Sequence, residues 1–94
     1  MANPGTAGIR KPVIDFAVRM ELKLQKKDYK GGWDHREMSE LFRSIQREIR
    51  EFEEAVINQE GTNNIIGEAI DTANYLMMFV DRLERRGGPI CEQI

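Results

Sequence analysis

The chain has 94 residues, enough for one small domain whose limited core often needs a partner for stability. Sixteen acidic against fourteen basic residues give a formal net charge of −2, a balance that argues against a nucleic-acid binder. The single cysteine, Cys91, excludes an internal disulfide and fits a reducing, cytoplasmic setting, and no apolar run has the length of a signal peptide or a bilayer span.

Residues 1–10 (MANPGTAGIR) are small and aperiodic and predict a flexible N-terminal arm. Pro12 suits the first turn of a helix. Val13, Ile14, Phe16, Ala17, Met20 and Leu24 then recur at helical spacing, with Arg19, Glu21, Lys23 and Lys26 largely on the opposite side. Gly31-Gly32 predicts a stop near Lys30. Asp34 and Glu37 have the spacing of a capping box, so a second helix is expected to start there. Its apolar positions, Met38, Phe42, Ile45, Ile49, Phe52 and Val56, form a narrow seam for packing against other helices.

The polar stretch from Asn58 to Asn64 predicts a reversal of the chain. A third helix is expected from Asn63 or Asn64 to about Arg86, ended by Gly87-Gly88-Pro89. From Ile65 to Leu83 it is apolar around most of its circumference, more than two companion helices can cover. A second copy is therefore expected to complete the bundle, as a homodimer or homotetramer. With no β-alternation and no internal repeat, the predicted fold class is all-α, about three helices per chain over residues 11–87, with a tail at residues 88–94.

Four acids stand out on the second and third helices. Glu48 and Glu51 are spaced i, i+3, as are Glu68 and Asp71, so each pair projects from one side of its helix. Folding the chain back at a pivot inside the polar turn brings Glu48 level with Asp71 and Glu51 level with Glu68. Relative to the apolar seam, Glu48 lies about 60° from its centre and Glu51 about 120°. Four carboxylates at one height repel unless a cation sits among them, and hard, oxygen-seeking Mg²⁺, usually accompanied by phosphate, fits that description. The alternative is ordinary surface charge, paired with Arg43, Arg47 or Arg50.

Other residues also carry two readings. Lys27 and Lys30, at the Gly-Gly break, either meet phosphate oxygens or cap a helix C-terminus. Trp33 either stacks on a base or covers the end of the bundle. His35, the sole histidine, is expected in the first turn of the second helix, facing solvent; with no companion ligand it argues against a transition-metal site. Met77 and Met78 read as core or subunit interface. Arg82, Arg85 and Arg86 read as a solvated helix end, with phosphate contact across a subunit boundary as the alternative.

Glu48-Ile49-Arg50-Glu51 followed by Glu68-Ala69-Ile70-Asp71 resembles the ExxE…ExxD signature of MazG-like nucleotide pyrophosphohydrolases, within the all-α NTP pyrophosphatase superfamily. Met20-Glu21-x-Lys23-Leu24, Lys30-Gly31-Gly32-Trp33 and Asp71-Thr72-Ala73-Asn74-Tyr75-x-Met77-Met78, ending in Asp81, are similar to the patterns of a compact branch of that family. These motifs span about Phe16 to Leu83.

The resemblance implies Mg²⁺-dependent hydrolysis of a nucleoside triphosphate to the monophosphate and pyrophosphate, with Mn²⁺ as a substitute ion. It implies that Glu48, Glu51, Glu68 and Asp71 hold the metal and serve catalysis, and that Asn74 and Tyr75 meet sugar or base. The chain departs from the family at Arg47, where many relatives carry a further glutamate, and at Thr72, where an aliphatic residue is common. Arg47 leaves room for two other readings: a helical interaction module without chemistry, or a nucleotide sensor without turnover.

Overall fold

The computed structural model describes residues 8–85, which form three α-helices and no strand. They are α1 (Lys11–Gln25), α2 (Met38–Ile57) and α3 (Thr62–Glu84), with a single 3₁₀ turn at Asp28–Lys30. Most of the expected arm, the stop at Gly87-Gly88-Pro89, Arg86 and Cys91 lie outside the described residues. Among the described residues no helix is long and apolar enough to cross a membrane.

Helix α1 starts with Pro12 in its first turn, as the sequence predicts, but ends at Gln25 rather than near Lys30. Beyond Leu24 the sequence offers only Tyr29 as an apolar side chain, and Tyr29 is exposed. Without packing, each further helical residue gains little, so the chain tightens into the 3₁₀ turn. Gly31, at φ 80°, then reverses the chain at little cost.

The capping box of α2 sits one turn later than its expected place at Asp34. Glu37 is the N-cap, and its backbone N–H donates to Glu40 Oε1 at 3.1 Å, while the Glu37 side chain accepts from the backbone at Glu40. Asp34 is drawn away to pair with Arg85, which caps the C-terminal end of α3. His35 consequently lies in the loop before α2, not in its first turn.

Helices α2 and α3 form an antiparallel hairpin closed by a Schellman turn. The Glu60 N–H donates to Ala55 O at 3.0 Å and the Gln59 N–H to Val56 O at 3.2 Å. Gln59 takes the left-handed position at φ 52°, where glycine is the usual occupant. Gly61, at φ 107°, then leads into α3.

The buried face of α2 differs from the expected seam. Leu41, Ser44, Ile45, Glu48 and Ala55 are buried, which turns the face by roughly 80° about the helix axis. Glu48 lies at its centre, and Glu51 at its border. Phe42, Ile49 and Val56, seven residues apart, remain 53%, 47% and 46% exposed. Leu41, Ile45, Ala55 and Ile70 form the buried apolar core among the described residues. Full burial of a leucine such as Leu41 contributes roughly 1.5–3 kcal/mol.

Helix α1 packs against α3 without fully burying any residue. Polar contacts supplement Ile14, Met20 and Leu24: the Asn74 amide donates to Met20 O at 3.2 Å, and the Lys23 ammonium reaches Asp71. On α3 itself, Leu76 and Val80 face outward.

Candidate functional site

Because Glu48 occupies the centre of the buried α2 face, its side chain is directed at α3 and is only 7% exposed. One turn apart on α3, Glu68 and Asp71 face it. One oxygen from each of Glu48, Glu68 and Asp71 falls in a group whose members lie within 4.8 Å of one another. Glu51 is not a member of this group, although its charge acts on both Glu48 and Glu68. Its carboxylate turns instead to Arg47, with Nε 3.8 Å from Oε2.

Burial is the main cause that raises the Glu48 carboxyl above its ordinary pKa, and the charges of Glu51 and Asp71 add to it. Glu68 is raised for the same reasons in the same order. Two cations partly compensate the cluster. Arg47 Nη2 donates to Glu48 Oε2 at 3.4 Å, and Lys23 Nζ donates to Asp71 Oδ1 at 2.9 Å. Glu68 Oε1 is buried with no hydrogen-bond partner among the described residues. A buried carboxylate oxygen left unpaired is costly, and a cation among these oxygens would satisfy it.

Lys23 is the side chain at this site that charge alone misplaced on the outer side of α1. Its spacing from Met20 and Leu24 puts all three on one face, and each is half-buried toward α3. Asn74 is also accounted for: its amide nitrogen donates to Met20 O, and its Oδ1 is buried and unpartnered among the described residues. Thr72 spends its hydroxyl on Glu68 O of the preceding turn, at 2.8 Å.

Next to the acids lies a cavity of about 280 Å³, lined by Lys27, Lys30, Trp33, Arg36 and Tyr75 among others. A smaller cavity of about 40 Å³ is lined by Lys23, Asp71 and Asn74 and shares Lys27 and Tyr75 with the larger one. The predicted residues Lys27, Lys30, Trp33 and Tyr75 are thus brought together, and the small cavity links Lys27 and Tyr75 to Asp71.

Arg36 was not anticipated. Its guanidinium lies 5.8 Å from the centre of the Tyr75 ring, with Arg47 at 6.0 Å. His35 also borders the cavity, though it is exposed. The loop carrying Trp33 is fastened to α3: Trp33 Nε1 donates to Asp81 Oδ2 at 2.9 Å, and Arg82 donates to Arg36 O at 3.1 Å through Nη2. Arg85 pairs with Asp34 and Asp81, so Arg82 and Arg85 secure the loop.

The cluster can accept one small divalent ion in chemical terms. Oxygens sharing one Mg²⁺ at about 2.1 Å stand within roughly 4 Å of each other, somewhat closer than the 4.8 Å within which these acids lie. The adjoining cavity presents cations and aromatic faces, the groups that meet phosphates and bases. No family model, no curated protein and no solved structure matches this chain. The motif residues alone therefore carry the resemblance to MazG-like enzymes.

Proposed function

We propose that the chain is a MazG-like nucleoside triphosphate pyrophosphohydrolase, dependent on Mg²⁺, that splits a triphosphate between its α- and β-phosphates. The observation carrying this reading is the convergence of Glu48, Glu68 and Asp71 beside a cavity lined by Lys27, Lys30 and Trp33. Water adds across the anhydride, giving the nucleoside monophosphate and pyrophosphate.

Glu48, Glu68 and Asp71 would hold the ion, with Glu51 recruited from Arg47. When bound, Mg²⁺ offsets phosphate charge and makes a coordinated water more acidic. The chain's own groups do the rest. Lys27, Lys30 and Arg36 attract and orient phosphate oxygens, and Trp33 and Tyr75 offer faces for the base. The exposed rows Phe42-Ile49-Val56 and Leu76-Val80 support an oligomer, which would further enclose this cavity. Such a nucleotide-pool enzyme would work in the cytoplasm.

The test is pyrophosphate release across a panel of ribo- and deoxyribonucleoside triphosphates, with and without Mg²⁺. Metal-dependent release that disappears in Asp71→Asn supports the proposal. No release from any substrate by the folded protein would sink it.

A second reading is a nucleotide-binding sensor without turnover. It is favoured by Lys23 and Arg47, which already pair with Asp71 and Glu48. Binding of triphosphate with Mg²⁺ but without pyrophosphate release would select it.

A further inference from the structure

Lys23 holds a position that neither metal coordination nor packing alone explains. Its ammonium donates to Asp71 Oδ1 at 2.9 Å and to Gly67 O at 3.3 Å. Three donors are available to an ammonium, and these contacts use two. The side chain is 33% exposed, so water and ligands have access to it.

Lys23 also lines the small cavity between the acids and the cationic, aromatic one. Two side-chain cations thus pair with acids here: Lys23 with Asp71, and Arg47 with Glu48 and Glu51. An ion bound to Asp71 would stand only a few ångströms from Nζ, and the two like charges would repel strongly in this half-buried setting.

We propose that Lys23 is a resident counter-cation for Asp71 that is released by a divalent ion and moves to a phosphate oxygen of the bound nucleotide. Lys23 thus exchanges one oxygen anion for another across the small cavity. Metal and ammonium compete for Asp71, whereas metal and nucleotide cooperate, because the phosphate accepts the displaced charge. This deepens the pyrophosphohydrolase reading and rests on the same metal site.

The experiment uses Lys23→Met, which keeps the length of the stem and removes the charge, and Lys23→Arg, which keeps the charge. Mn²⁺ binding is read by electron paramagnetic resonance without nucleotide; inorganic tripolyphosphate binding is read by calorimetry at saturating Mn²⁺. Lys23→Met should bind Mn²⁺ about threefold more tightly, the effect of losing a partly exposed competing charge. It should bind tripolyphosphate about tenfold more weakly, the loss of a charge-assisted hydrogen bond. Lys23→Arg should restore tripolyphosphate affinity.

A variant that merely disturbed the fold would weaken both ligands, and that result overturns the exchange. Unchanged affinities overturn it as well. If the wild-type protein binds neither Mn²⁺ nor tripolyphosphate, the metal site itself fails, and the exchange fails with it.

Discussion

Trp33 Nε1 donates a hydrogen bond to Asp81 Oδ2 at 2.9 Å, tying the loop before α2 to the last turns of α3. The same carboxylate receives Arg85, which also pairs with Asp34. One aspartate thus fixes a wall of the cationic cavity from 48 residues away in sequence. The Trp33 hydrogen bond, then the one from Arg85, holds the Asp81 carboxyl below its ordinary pKa of 3.8.

Trp33 is the only tryptophan, so its fluorescence reports this tie directly. A carboxyl whose folded pKa is lowered contributes stability above 3.8 that is lost as pH falls through the folded value. The Trp33 emission should therefore hold steady down to pH 3.8 and change below it. In Asp81→Asn the pH-dependent step should vanish, and amide exchange over residues 31–36 should quicken. A fluorescence step above 4.5 that persists in Asp81→Asn would refute this account.

Glu48 and Glu68 predict the opposite slope. Both carboxyls are raised above 4.5, so the metal-free folded state binds protons more readily than the unfolded chain. Their contribution is fully favourable below 4.5 and is lost as pH rises through the folded values. In EDTA, thermal stability should consequently increase as pH falls through the folded values toward 4.5, and Glu48→Gln should flatten that trend. If the acids bind Mg²⁺, the ion should raise the melting temperature at pH 7.5 and do so less as pH falls toward 4.5.

Among the acids, Asp71 and Glu51 should differ in weight. Asp71 belongs to the converging group, while Glu51 is paired with Arg47. Asp71→Asn should weaken Mn²⁺ binding about tenfold or more, and Glu51→Gln by less. Equal losses, measured by titration calorimetry, would mean that Glu51 is an equal ligand.

The hairpin turn offers a test of local backbone energetics. Gln59 sits at φ 52° in the position where a glycine usually closes a Schellman turn. Gln59→Gly should stabilise the protein by about 0.5–1 kcal/mol in urea unfolding, the relieved strain exceeding the added chain entropy. Destabilisation by a similar amount would count against the turn geometry.

Phe42, Ile49 and Val56 make an exposed apolar row at heptad spacing. If a second copy covers it, Ile49→Lys should shift the sedimentation profile from oligomer to monomer with helix content retained. An unchanged oligomer would direct attention to Leu76 and Val80 instead.

The three helices and the reversal at Asn58 were legible because hydrophobic spacing and Gly and polar clusters act locally. The convergence of Glu48 with Asp71 followed from reflection about that turn. What the sequence hid depends on tertiary competition. Asp34 looked like a helix cap until Arg85, 51 residues away, claimed it. The α2 seam looked centred on Phe42 and Ile49 because hydrophobicity was counted without knowing that Ser44, Glu48 and Ala55 would face α3. Lys23 was sorted by its charge to the solvent side, whereas its ammonium reaches inward to the half-buried Asp71.

Helix α1 buries no residue completely, and hydrogen bonds through Lys23 and Asn74 fasten it to α3. The α2–α3 hairpin, by contrast, encloses the apolar core. Native-state hydrogen exchange should therefore resolve two cooperative units, with α1 opening at a lower free energy than the hairpin. Since one of the two fastenings is also an ion pair of the acid cluster, the opening rate of α1 is a remote gauge of the charge state between α2 and α3.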